Sequence, residues 1–339
     1  YADAVAAIDT AAKEKDAPKD YLAYLKGRAL YLDKKYDEAV AAFALVQKTY
    51  PQSAWLRRAE FGEALAYARK GEFEKAEAIY RRQAESLLSE DRKQEIAEIY
   101  LEFAQKYFEP PKKPDAKPDY EKALVFYQKA LEVGPKPEER QRIELQIGWC
   151  HQELGRNEEA VKRYRKFLED HKKSPLDVEV RFRLGQVELA MGQLNEARRT
   201  WQDLLAEHVD SPSERVAEAM FLLSHTWQIP QPQDDKQLSL GVAALEAFLK
   251  RFPDHEKAAE AQLDIARSYI HRGQFEEAVA RLKAFIADQR YQKAKEIAEA
   301  RNLLGHCYQL QKKFPEALAA WQEYLSKHPA HEAWSTVQQ

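Results

Sequence analysis

The sequence predicts an all-α solenoid built from stacked helical hairpins, and three observations carry that expectation. A small residue returns at Ala4, Ala39, Ala76, Ala123, Ala160, Ala197, Gly241, Ala278 and Ala317, at intervals of 35, 37, 47, 37, 37, 44, 37 and 39 residues. Self-similarity at such a period, with no strand alternation between the marks, belongs to units that bury their apolar faces on their neighbours rather than around a single core. Four residues after each small residue from Ala39 onward stands a large one: Phe43, Tyr80, Tyr127, Tyr164, Trp201, Leu245, Leu282 or Trp321. The i, i+4 step sets both on one helical face. Finally, only 11 glycines in 339 residues, with abundant Ala, Leu, Glu, Lys, Arg and Gln, favour helix throughout.

Taken in order, the elements are one half repeat at 1–15, about eight hairpins over 20–329 and the start of a further helix at 331–339, together a single array over 1–339. Tyr1, Ala4 and Ile8 fit a second helix whose first helix is missing, and HEAWSTVQQ, with Trp334, fits a first helix, so the chain is expected to be cut from a longer protein. Within each hairpin the first helix, A, carries a small residue twelve positions before the recurrent one: Gly27, Ala64, Gly148, Gly185, Ala266 and Gly305. Glycine inside a helix costs about 0.5–1 kcal/mol relative to Ala, so its repetition implies that two helix backbones approach closely there. Gly71, Gly155, Gly192 and Gly273 stand where helix A should stop, each supplying the left-handed residue that ends many helices. The second helix, B, should end before Pro51, Pro135, Pro253 and Pro329, each twelve residues after its small residue. Two polar, proline-rich insertions lengthen the period, at 109–119 and 228–237; both fall between helices A and B and read as solvated loops, with polyproline II docking as the alternative.

Charge excludes some partners. The 53 basic and 56 acidic residues nearly cancel, which leaves no global field for nucleic acid or anionic lipid. No segment approaches the roughly 18 consecutive apolar residues of a membrane span. Cys150 and Cys307 lie four repeats apart, too far to pair in a solenoid whose units touch only their neighbours.

The layout of IGWCHQELGRNEEAVKRYRKFL, with Gly148 mid-way in helix A, Ala160 early in helix B and Tyr164 one turn later, resembles the tetratricopeptide repeat, and the match runs through almost the whole chain. That resemblance implies a right-handed superhelix of tandem hairpins acting as a protein-interaction scaffold, with helix A lining a concave groove for an extended peptide or partner protein. The alternatives are a spacer that positions another domain, and a cytoplasmic regulator that senses a peptide. The 37-residue period departs from the family's commonest unit, and AFLKRFPDHEKAAEAQLDIARSYIHRGQFEEAVARLKAFI is similar to repeats of bacterial cell-envelope proteins such as Tol-Pal-associated factors, which implies a periplasmic or envelope location.

Counting back fifteen and eleven residues from each small residue gives the expected groove: Tyr24 and Arg28, Phe61, Trp149, Phe182 and Gln186, Arg267, Asn302 and His306, with Phe221 and His225 in the repeat that carries the later insertion. Tyr21 and Tyr31 extend the first patch on the same helical face. Aromatics recurring at one helical position also fill the space between consecutive A helices, so the Phe set has a packing reading beside the recognition reading. These slots are mainly Tyr, Phe, Leu and Trp, which argues against the Lys–Asn–Arg clamp with which co-chaperone members hold chaperone tails.

No enzyme signature is present: no glycine-rich phosphate loop, no G-x-S-x-G, no H-E-x-x-H and no C-x-x-C. The pairs Cys150–His151 and His306–Cys307 diverge by about 100° on a helix, a poor arrangement for a shared metal. No catalytic residue, cofactor or metal is therefore expected.

Overall fold

The computed structural model describes residues 1–84, 90–110 and 117–328. It is all-α, with no strand among the described residues, and divides into two compact units, Tyr1–Gly155 and Arg156–Gln339. Unit 1 contains α1 (Ala2–Ala11), α2 (Lys19–Leu32), α3 (Tyr36–Thr49), α4 (Leu56–Lys70), α5 (Phe73–Ala84), α6 (Glu90–Phe108), α7 (Tyr120–Val133) and α8 (Pro137–Glu153). Unit 2 contains α9 (Asn157–Asp170), α10 (Asp177–Ala190), α11 (Leu194–Glu207), α12 (Glu214–Leu223) continued by a 3₁₀ turn at Ser224–Trp227, α13 (Asp235–Arg251), α14 (Ala258–His271), α15 (Phe275–Ala287), α16 (Glu296–Leu310) and α17 (Phe314–Lys327). The even-numbered helices from α2 to α8, α10, α12, α14 and α16 are A helices; α1, α3, α5, α7, α9, α11, α13, α15 and α17 are B helices.

The recurrent residues sit where their periodicity implies. Ala39, Ala76, Ala123, Ala160, Ala197 and Ala278 are fully buried, Gly241 is buried, Ala317 is 2% exposed, and only Ala4 is exposed. The large residues one turn on, from Phe43 to Leu282, are 0–2% exposed, while Trp321 is half-buried. The helical glycines make room for those large side chains, not for a neighbouring helix backbone as their repetition implied. A Cβ placed on Gly27 would lie 2.6 Å from the Phe43 ring, and one on Gly62 of the next A helix 2.5 Å from the same ring, so Phe43 is held between two glycines. Gly185 faces Trp201 and Gly305 faces Trp321 in the same manner. Close packing of this kind turns a conformational cost of glycine into buried aromatic area.

Outside the two insertions, the turns from A to B share one backbone solution. Gly71, Gly155, Gly192 and Gly273 have φ of +84°, +69°, +74° and +73°. Lys34 and Lys312, both at φ +60°, occupy the same register five residues before the small residue, although a side chain there is strained. α3, α7 and α13 each end two residues before Pro51, Pro135 and Pro253; Pro329, Trp334 and the expected helix at 331–339 lie outside the described residues, as do residues 111–116 of the first insertion.

The second insertion corrects the expectation of a solvated loop. Ile229 is 4% exposed and Pro232 is buried, because Ile229 fills the space over Gly241 that an alanine would otherwise take. Arg198 of α11 covers one side, its guanidinium 3.5 Å from the centre of the Trp227 ring and its Nε donating to Thr226 Oγ1 at 3.2 Å. On the other side Arg272 donates to the Gln233 carbonyl at 3.0 Å and to Asp235 at 3.2 Å.

Candidate functional site

The A helices hold ten of the candidate positions and the 3₁₀ turn after α12 holds His225, and burial sorts the eleven into two sets. Tyr24, Phe61, Phe182 and Phe221 are 8%, 8%, 2% and 3% exposed, so the packing reading holds for them. Phe61 meets Tyr80 edge-on at 5.6 Å and Phe221 meets Phe248 at 5.7 Å, which commits both rings to the interior of their hairpins. These aromatics are not presented to a partner as the groove reading expected. Arg28 and His306 are exposed, and Trp149, Gln186, His225, Arg267 and Asn302 are half-buried.

In unit 1 the first two A helices carry an aromatic stack. Tyr21 and Tyr24 lie one turn apart on α2 and both meet Trp55, at 4.4 and 5.2 Å between ring centres, the second nearly parallel. Arg58 lies over the Trp55 ring, 4.8 Å from its centre. The loop that presents Trp55 is fixed by Ser53: its hydroxyl donates to Asp20 at 2.7 Å and accepts the Trp55 N–H at 3.0 Å. The Ser53 hydroxyl and the Tyr21 N–H hold the Asp20 carboxyl below its ordinary value. Farther along, Arg69 Nε donates to the Tyr31 hydroxyl at 3.3 Å and pairs with Glu102 at 3.0 Å. Trp149, at the end of the unit, meets Phe108 edge-on at 4.9 Å and donates from Nε1 to Glu153 at 2.9 Å.

Unit 2 replaces aromatics with arginine–carboxylate ties between successive A helices. Glu179 of α10 accepts from Arg183 at 2.6 Å and from Arg215 of α12 at 2.9 Å, and Arg215 reaches Glu218 at 2.6 Å. Arg267 of α14 donates to Asp264 at 2.9 Å and to both oxygens of Glu299 on α16 at 2.6 and 2.7 Å. Burial raises the Asp264 carboxyl above its ordinary pKa and lowers that of the His225 imidazole. Asn302 accepts from Trp321 Nε1 at 3.2 Å, and His306 meets the same indole edge-on at 5.2 Å.

One grouping of metal-ligand type occurs among the described residues, Asp177, Glu207 and His208. The guanidinium of Arg181 already fills it, donating to both Asp177 oxygens at 2.9 and 3.0 Å and to both Glu207 oxygens at 3.0 Å, so the charge a cation would neutralise is spent. Both thiols are buried, which pushes Cys150 up to about 12 and Cys307 up to about 11, the behaviour of space-filling side chains rather than nucleophiles. No described helix is long and apolar enough to cross a membrane.

Sequence reasoning missed Trp55 and Arg58 and the ties through Glu179, Asp264 and Glu299. Trp55 stands 21 residues before Ala76, a turn outside the slots that were counted, and Leu176 and Lys257 take that register elsewhere. An arginine–carboxylate pair between neighbouring repeats leaves no periodic mark at all.

The hairpin register is matched by a tetratricopeptide repeat family profile over residues 1–54, 145–212 and 263–332, more than half of the chain. The chain belongs to the tetratricopeptide repeat family. Tetratricopeptide repeat proteins generally act as protein-interaction scaffolds. Among curated proteins the comparison finds no match. Similar solved structures include MamA, 20% identical over 54% of this chain and 95% of that one with a TM-score of 0.42. A putative kinesin light chain of Podosopora anserina with nearly identical TPR-like repeats is 18% identical over 58% of this chain and 99% of that one, TM-score 0.44. YrrB, described as a TPR protein with an unusual peptide-binding site, is 16% identical over 62% of this chain and 97% of that one, TM-score 0.43.

Proposed function

We propose that this tetratricopeptide array is a non-catalytic scaffold that holds a protein or peptide on the exposed face of its A helices. The observation that carries the reading is the division of labour along those helices. Positions fifteen residues before the small residue are mostly spent on packing, as Tyr24, Phe61 and Phe182 are, while those at eleven, Arg28, Trp149, Gln186, Arg267 and His306, keep exposed surface and differ from repeat to repeat. A surface that varies on a constant frame suits recognition, because neighbouring repeats can each contribute a different contact. The resemblance of the 37-residue units to envelope repeats supports a bacterial cell-envelope location, which cell fractionation tests.

A photocrosslinking amino acid placed singly at Arg28, Gln186 and His306 on the A helices, and at Arg163, Arg199 and Lys283 on the B helices, tests the proposal in extracts of the source cells. Adducts from the A set alone are expected. Adducts from the B set alone would overturn the choice of face, and adducts from neither would favour a spacer that only sets the distance between other domains.

A further inference from the structure

We infer that the face formed by α2 and α4 takes an acidic segment of the partner, an inference that rests on the proposed A-helix surface and names the chemistry of one end of it. Tyr21, Tyr24, Arg28 and Tyr31 follow at spacings of three, four and three residues on α2, and Arg58, Phe61, Leu65 and Arg69 follow at three, four and four on α4, so each set forms one stripe, in which Tyr24 and Phe61 are the packed members and Tyr21, Tyr31, Leu65 and the three arginines keep surface. Trp55 bridges the stripes: it stacks on Tyr24, meets Tyr21 at a tilt and carries Arg58 over its ring. Neither stripe contains an Asp or Glu; the Ser53–Asp20 bond and the Arg69–Glu102 pair lie at its two ends.

Two features make the charge of this face available. Arg28 and Arg58 are exposed and form no ion pair among the described residues, while most arginines of the A helices in unit 2 are tied to carboxylates of the protein itself. Arg58 is also held in place by the Trp55 ring, so its guanidinium keeps its charge and its outward donors with little freedom left to lose on binding. Arginine with Tyr and Trp on a fixed frame is the composition that dominates interface energetics, and a carboxylate is the group that a planar guanidinium fork matches. A basic segment would meet two unneutralised like charges here; a purely apolar one would leave both guanidiniums desolvated and unpaired.

The test is fluorescence anisotropy of the full chain with three fluorescein-labelled twelve-residue probes of equal length and aromatic content: one with six glutamates, one with six lysines, one with six serines. The glutamate probe is expected to bind at least tenfold more tightly than the others and to weaken as salt rises. Arg28→Gln with Arg58→Gln should weaken it about tenfold with unchanged helicity, whereas Arg163→Gln with Arg199→Gln, which removes equal charge from the B helices, should leave it unchanged. Tightest binding of the lysine or serine probe, if lost on changing A-helix residues, would overturn the acidic assignment and keep the A-helix surface. Equal loss of the glutamate probe in both double variants would reduce its binding to net charge and overturn the inference, as would no binding by any probe; only the crosslinking pattern bears on the wider proposal.

Discussion

Substituting Gly185 by Ala isolates the role of the helical glycines. A Cβ at 185 falls inside contact distance of Nε1, Cε2 and Cδ1 of Trp201, a side chain with no exposed surface and an indole N–H bound to the Phe182 carbonyl at 3.2 Å. Neither the ring nor the helix has room to yield, so overpacking should cost about 1–3 kcal/mol, and displacing the indole would forfeit roughly 1 kcal/mol of hydrogen bonding. Against this, Ala gains about 0.8–1 kcal/mol over Gly in a helix interior. The net expectation is a loss of about 1–3 kcal/mol by the same magnitudes. Gly305→Ala is the internal comparison, since Trp321 is half-buried and can swing away; there the propensity gain should offset most of the strain and leave a change within about 0.5 kcal/mol of zero. Urea unfolding followed by circular dichroism, with hydrogen exchange of the α10 amides as a local readout, measures both. An unchanged or higher midpoint for Gly185→Ala, or a larger loss for Gly305→Ala, would refute the account of glycine as room for an indole.

Three further outcomes are expected. Lys34→Gly and Lys312→Gly should each stabilise the fold by about 0.5–1 kcal/mol by relieving a side chain at positive φ, and a lower melting temperature for either would contradict this. Phe182→Ala should cost about 3–5 kcal/mol of stability, visible in the urea midpoint, whereas Gln186→Ala should leave stability within about 0.5 kcal/mol. For His225, burial lowers the folded-state pKa below the roughly 6.5 of the unfolded chain, so the unfolded state takes up the proton first and stability falls as pH drops below that value. His225→Gln should flatten this acid-side fall in melting temperature; Asp264, shifted upward, opposes it at lower pH because its protonation favours the folded state.

Much of this architecture was legible because it repeats. A slot filled by the same kind of residue every 37 positions has the same neighbours each time, and identical neighbours recur in the interior, which is why Ala160 and Tyr164 could be placed and why Phe182 proved to be packing. The same logic explains the candidate site in part: Arg28 and His306, exposed in their repeats, vary because nothing buries them. What the sequence hid depends on partners with no fixed spacing. Lys34 gives no sign that it stands in a glycine's place, Gly62 falls outside the twelve-residue register and acquires its role only through Phe43, and Trp55 becomes informative only beside Tyr21 and Tyr24. The insertion at 228–237 misled because its composition is polar and proline-rich, while one residue within it, Ile229, does the burying.

The contact of Ile229 with Gly241 bears on how such a chain can be rearranged. In most hairpins here the recurrent small residue is an alanine buried inside the array. The hairpin that contains α13 has Gly241 where the others have Ala and carries a longer connection, and the two features depend on each other. Trimming the connection to the common period would open a hole above Gly241, and restoring an alanine there would collide with Ile229, so neither can be reversed without the other. The length of this connection and the size of the residue it covers thus form a paired lock, so the unit can be altered only by changing both together.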